Sequence, residues 1–375
     1  MISRLIETAI KDKFTQNKVV LLLGARQVGK TTLLKAVADE YTHDLLWLNG
    51  DEADIRAIFR EATTTGLKRI LGSKKYILID EAQRIENIGL ALKLIVDNFP
   101  GVHLIATGSS SWELSSQINE PFTGRKHEFL LFPISFDEMC RHTSFLEEKR
   151  LLEQRLLYGY YPDVINGQGE EKEILMTLSE SYLYKDLFSL EKIRKPALLE
   201  KLLQALALQL GSEVNYHELG QIIGADNQTV EKYLDLLEKA FVIFRLPSLS
   251  RDMRNEIKKG RKIYFYDNGI RNAIIKNFSP LDLRADTGAL WENFLMSERR
   301  KNNSYNKIYY NGFFWRTHAQ QEIDYIEERD GLLYAYEFKW SSPKKARFPQ
   351  SFREHYPHSH YSVIHPENFI EFICS

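Results

Sequence analysis

Cysteine is scarce in this chain. Its 375 residues hold two, Cys140 and Cys374, far apart, so the sequence offers neither a disulfide framework nor a thiolate metal cage. Charge of one sign is lacking too: 50 Lys and Arg stand against 51 Asp and Glu, a net charge of −1. That removes global basicity as a nucleic-acid signal and confines any phosphate contact to local patches. No apolar run reaches the roughly 18–20 residues of a membrane-spanning helix. The N-terminal MISRLIETAIKDKF mixes acids with bases and has no apolar h-region, so it reads as a helix rather than a leader. The cytoplasm is the expected compartment, with no membrane partner. Internal repeats and low-complexity tracts are also missing. What remains is ordinary globular composition, 43% hydrophobic and 27% charged, with length for two or three domains.

Over the first 135 residues, short apolar runs alternate with amphipathic stretches. Strands are expected at 19–23, 45–49, 76–80, 102–106 and 128–132, with helices such as 31–41 and 88–98 between them. That alternation predicts an α/β domain with a parallel sheet and crossover helices. Helical patterns then take over through 136–210. Residues 211–280 read as helix (216–223), a turn at Gly224-Ala225, helix (227–240), a β run FVIFRL, a basic loop, and IYFYD. Within 281–375 the order is helix, three strand-like runs, helix, strand.

Gly24-Ala25-Arg26-Gln27-Val28-Gly29-Lys30-Thr31 is a complete GxxxxGK[ST] loop between an apolar run and a helical pattern that opens with Thr32. The glycines let backbone N–H groups face phosphates at a helix N-terminus. Lys30 would reach the β/γ oxygens of ATP and Thr31 would ligate Mg²⁺. YILID delivers Asp80 to the C-terminal end of a buried strand, where ligands bind in such sheets. Asp80 would hold the metal directly or through water, and Glu81 would orient the attacking water. A hydroxyl of Thr107-Gly108-Ser109-Ser110-Ser111 reads as a γ-phosphate sensor or as a plain polar turn. Arg125 reads as a solvated arginine or as a neutraliser of transition-state charge, on its own or a neighbouring subunit's nucleotide.

GARQVGKTTLL, ILIDEAQRI, LIATGSSSWEL, Gly124-Arg125 and LFPISFDEM resemble a family of bacterial and archaeal AAA+-type ATPases. The similarity continues through YGYYPDVI, YHELGQIIGADNQTVEKYLDLLEKAFVIFRL and KIYFYDNGIR, so it covers nearly the whole chain. It implies an AAA+-like P-loop domain (1–135), a helical lid (136–210), a winged helix-turn-helix (211–280) and a C-terminal domain (281–375). A homo-oligomer is the assembly expected with it.

DNA is the expected macromolecular partner. Residues 251–262 hold six bases against two acids, the best phosphate-binding run in the chain, with Lys258, Lys259, Arg261 and Lys262 as its contacts. The second helix weakens that reading, because Glu231, Asp235 and Glu238 outnumber Lys232 and Lys239. Its N-terminal Asn227, Gln228 and Thr229 are the groups suited to bases or phosphates. In the last domain Asp324 precedes Glu337-x-Lys339, and Glu292 lies upstream in a helical run. This order resembles the PD-(D/E)xK nuclease fold. The resemblance implies that Glu292, Asp324 and Glu337 gather Mg²⁺ while Lys339 positions water or stabilises charge. Trp315, Arg316 and Trp340 flank that pattern as stacking groups or as buried core.

Three functions fit the sequence: an ATP-hydrolysing protein acting on DNA, a regulatory NTPase with an inert nuclease-like domain, and a protein-remodelling ATPase.

Overall fold

The computed structural model describes residues 1–109, 124–180, 195–249, 260–317, 319–341 and 348–374. The chain divides into two compact units, 1–134 with 239–241, and 135–238 with 242–375.

Five strands make the sheet of the first unit: β1 (Val19–Leu23), β2 (Leu45–Asn49), β3 (Tyr76–Asp80), β4 (His103–Gly108) and β5 (Lys126–Leu130). Their order is β2-β3-β4-β1-β5, and every pairing is parallel. β1 is buried along its whole length, which is why VVLLL shows no alternation: helices cover both faces of a parallel sheet. The fifth strand starts two residues earlier than the apolar run suggests, because Lys126–Leu130 pairs in register with Val19–Leu23. The helix after the P-loop is Lys30–Ala38, and a 3-10 turn, Asp39–Asp44, takes the remainder of the expected span.

Short helices fill 136–178 in the second unit, followed by the helix Pro196–Leu208. Tyr216–Ile223 and Asn227–Lys239 form a helix-turn-helix, with Gly224 in the left-handed region at the turn (φ 75°). Leu234 and Leu237 are fully buried beneath it. Beside it lies an antiparallel sheet of β6 (Glu213–Val214), β8 (Arg261–Phe265) and β7 (Ile243–Pro247), in that order.

The last sheet has the order β12-β11-β10-β9, built from β9 (Asn311–Arg316), β10 (Glu322–Arg329), β11 (Leu332–Phe338) and β12 (His360–Ile364). Asp330 (φ 51°) and Gly331 (φ 78°) turn β10 into β11, the paired positive φ of a two-residue hairpin. Trp315, Ile323, Ile326, Ala335 and Phe352 pack as one apolar cluster, so Trp315 is core. A closing helix, Phe369–Ile373, follows β12 and is absent from the sequence reading.

The helix Thr287–Tyr305 is buried on most sides although much of it is polar. Several of its polar groups are paired: Asn293 accepts from the Phe265 N–H (2.7 Å), and Glu298 accepts from the Phe136 N–H (2.7 Å) and from Lys301 (2.6 Å). Buried polar groups persist when they find such partners.

Candidate nucleotide site and C-terminal carboxylate centre

The P-loop runs from the end of β1 into the helix Lys30–Ala38. Gly29 sits at φ 95°, a conformation glycine adopts without strain. Gly24 lies so close to Leu131 that an added Cβ would stand 2.1 Å from its carbonyl oxygen. Glycine is therefore required there by packing, besides any approach of phosphate. Arg4, far away in sequence, donates to the carbonyls of Val28 and Phe132, both at 2.7 Å, and so braces the loop from behind. Lys30 is 5% exposed and donates to the loop carbonyls of Gly24 (2.9 Å) and Ala25 (2.7 Å). Burial lowers its pKa to about 8, against the opposing pull of Glu81 and Asp80.

The ends of β3 and β4 meet the loop. The Thr31 hydroxyl donates to Asp80 Oδ2 at 2.7 Å, and the Thr107 hydroxyl donates to Asp80 Oδ1 at 2.5 Å. Thr107 Oγ1 also accepts the Glu81 N–H at 3.0 Å. Glu81 itself occupies the left-handed region, φ 50°, a conformation that costs a non-glycine residue on the order of 1–3 kcal/mol and clusters at functional sites. Its carboxylate accepts from Gln83 Nε2 at 2.6 Å, and the same amide donates to Ser109 at 2.9 Å. The Thr107–Ser109 turn is thus wired into the site, while Ser110 and Ser111 lie outside the described residues.

Magnesium takes hard oxygen ligands and keeps several places for phosphate and water. A hydroxyl and a carboxylate 2.7 Å apart suit that ion, so Thr31 and Asp80 fit it. Arg26 and Gln27 lie on the loop, with Gln27 exposed. Arg125, half-exposed, reaches both carboxylate oxygens of Asp97 at 2.8 Å.

The DNA-facing expectations fare differently. Asn227 and Gln228 are exposed at the start of the second helix, and with Thr229, Lys195 and His217 they line a cavity of about 1060 Å³. The neighbouring groove, about 780 Å³, is lined by Glu213, Glu218, Glu231 and Asp235 as well as Arg245, Arg261 and Arg316. Arg245 is spent on Asp235 (2.6 Å) and Glu238 (2.5 Å). Lys258 and Lys259 lie outside the described residues. Lys262 corrects the sequence reading: its side chain is 3% exposed, ion-paired to Glu292 (3.2 Å) and Glu322 (2.7 Å). It lies on a strand buried on both faces, and alternation puts it on the same face as Tyr264.

That contact reaches into the C-terminal pattern. Glu292 accepts from the Tyr264 hydroxyl at 2.6 Å. Burial lifts its pKa to about 7; Lys262 opposes the lift and Asp324 adds to it. Asp324 accepts from the Phe338 N–H (2.7 Å), and Lys339 donates to Glu337 (2.7 Å). Burial opposes the charge on Lys262, but the Glu292, Asp324 and Glu322 carboxylates outweigh it and hold the ammonium above its ordinary range. Among the described residues no group of three or more His, Cys, Asp or Glu side chains stands ready to hold a metal ion. The expectation that Glu292, Asp324 and Glu337 gather Mg²⁺ meets a different arrangement: Lys262 pairs with Glu292 and Lys339 pairs with Glu337. Trp340 packs edge-on against Trp291, ring centroids 5.5 Å apart.

A family described as AAA domain matches residues 16–140, and two families described as domains of unknown function match residues 149–281 (DUF8612) and 287–373 (DUF4143). An uncharacterized protein of Haemophilus influenzae is 26% identical over 68% of this chain and 69% of its own length. The replication factor C large subunit of Thermofilum pendens is 24% identical over 71% of this chain and 60% of its own. The Thermotoga maritima RuvB Holliday junction branch migration motor covers 68% of this chain and 92% of that one at 16% identity, with a TM-score of 0.32, too low for anything about this chain to follow. The AAA-domain match takes in the P-loop, Asp80 and Glu81. No helix among the described residues is long and apolar enough to cross a membrane.

Proposed function

We propose that this chain is an ATP-hydrolysing AAA+-type switch or motor that acts on DNA. The observation that carries the ATPase half is the contact between Thr31 and Asp80, 2.7 Å long, at the mouth of a complete P-loop. On this reading the loop 24–29 holds the phosphates through its N–H groups. Lys30 leaves the Gly24 and Ala25 carbonyls for phosphate oxygens, which are better acceptors for an ammonium. Bound Mg²⁺ supplies charge neutralisation at the phosphates. Glu81 orients and deprotonates the attacking water, and Gln83 with Thr107 fixes where Glu81 stands. Arg125 serves as a charge neutraliser once it leaves Asp97.

Support for the DNA half is thinner and local. The helix-turn-helix with its three-stranded sheet has the layout of a winged helix, and the exposed Asn227 and Gln228 sit where such a module touches DNA. A relative named replication factor C large subunit points the same way. The basic run that begins at Arg251 would contribute phosphate contacts, with Lys262 no longer among them. The Lys262 ion pairs favour a second reading of the last domain, a nuclease-like fold kept as a structural module without cleavage.

Steady-state ATP turnover measured with single-stranded, linear duplex and branched DNA tests the proposal. At least one of these DNAs is expected to raise turnover severalfold, and the gain should fade with added salt as phosphate contacts are screened. Turnover indifferent to all three would leave a nucleotide switch without a DNA partner.

A further inference from the structure

We infer that Lys262 is the built-in cation of the C-terminal carboxylate centre and takes the place of a divalent metal there. The inference does not depend on the DNA reading.

Lys262 lies on the middle strand of a three-stranded sheet, opposite Leu246 on one side and Glu213 on the other. Its backbone position is therefore fixed from both edges. The side chain passes the ring of Phe314, 5.7 Å from the centroid, and ends between Glu292 (3.2 Å) and Glu322 (2.7 Å). Asp324 is a further charge acting on it. Two carboxylates named in the E…D…ExK pattern thus share their counter-charge with a lysine from a different sheet. Glu337 has its own lysine, Lys339, at 2.7 Å.

A divalent ion needs several oxygen donors free to turn toward it. Here Glu292 accepts from Lys262 and the Tyr264 hydroxyl, Asp324 takes the Phe338 N–H on one oxygen, and Glu337 accepts from Lys339. A metal would also have to stand beside the buried Lys262 ammonium, and like charges at such range repel strongly in a poorly solvated site. Lys262 and Lys339 thus supply counter-charge from within the chain to Glu292, Glu322 and Glu337. The centre works as an electrostatic latch that ties the sheet β6-β8-β7 to the helix Thr287–Tyr305 and to β10.

The test is calorimetric titration of the full chain with MnCl2, without nucleotide. Every protein carries Asp80→Asn, so that the P-loop carboxylate contributes nothing. With Lys262 present, and in Lys262→Arg, no Mn²⁺ binding that depends on Asp324 is expected. In Lys262→Met, Mn²⁺ should bind at least tenfold more tightly, and adding Asp324→Asn should abolish the gain. A Lys262-containing protein that binds one Mn²⁺, lost on Asp324→Asn, overturns the inference, as does a folded Lys262→Met variant that gains no site. Should Lys262→Met fail to fold, the melting temperature of the Lys262 protein with and without MnCl2 decides. A rise that Asp324→Asn removes contradicts the lysine cation; no such rise supports it.

Discussion

Replacing Glu81 with glutamine should leave ATP binding nearly unchanged and lower turnover by about 10²–10⁴, the usual weight of a positioned general base. The expectation rests on how completely the chain places this side chain. Its backbone N–H is held by Asp80 Oδ1 (3.1 Å) and Thr107 Oγ1 (3.0 Å), and its carboxylate receives Gln83 Nε2 at 2.6 Å. Glutamine keeps the shape and the capacity to accept from Gln83, but it cannot take a proton. Binding should survive, because the phosphate contacts are assigned to the loop 24–29 and Lys30. Single-turnover hydrolysis beside equilibrium nucleotide binding separates the two effects. Turnover within a factor of about three of the wild type would hand the base role to another residue.

The largest stability effect is expected inside the second unit. Arg299 and Glu327 face each other bidentately at 2.7 and 2.8 Å and are both essentially buried. Asn303 (2.9 Å) and Tyr325 (2.9 Å) donate to the same carboxylate. Truncating Glu327 to alanine strands a buried guanidinium, a loss of about 3–5 kcal/mol out of a typical total of roughly 5–15 kcal/mol. Adding Arg299→Met should return most of that loss, because the stranded charge goes with it. The pair also gives an acid limb to stability. Burial pushes the Glu327 pKa up, but Arg299 outweighs it and holds the carboxyl below its ordinary 4.5. A depressed carboxyl pKa contributes stability above the unfolded value, and that contribution is lost as pH falls through the folded one. Urea melts of the single and double variants, repeated below pH 4.5, measure both. A single variant within about 1 kcal/mol of wild type would show that the pair is not what holds the helix Thr287–Tyr305 to β10.

What the sequence made legible follows from what it encodes locally. VVLLL before a glycine-rich loop, and YILI before Asp80, carry their own strand and turn signals, so the meeting of Thr31 with Asp80 could be anticipated. Arg4 could not: nothing within MISR says that its guanidinium reaches Val28 and Phe132. Asp97 as the partner of Arg125 is equally a product of tertiary packing. Gln83, two residues after Glu81, carries a local signal, because an amide so close to a strand-end carboxylate is placed to hold it. Lys262 is the instructive case. Counting charge over 251–262 placed it on a basic surface, whereas strand alternation pairs it with Tyr264 on one face, and that face meets Glu292. The E…D…ExK order implies a metal-gathering set of carboxylates, but a sequence pattern does not say which cation neutralises them.

The most direct test of the central claim is Mg²⁺-dependent release of phosphate from ATP by the purified chain, measured beside Lys30→Ala at the same concentration. Lys30 sits 2.7 Å from the Ala25 carbonyl at the entrance of the loop, and no other lysine belongs to the P-loop motif. Turnover is expected from the wild type and none above background from a folded Lys30→Ala. Equal phosphate release by both proteins, or none by the wild type with Mg²⁺ and each class of DNA present, would contradict that claim.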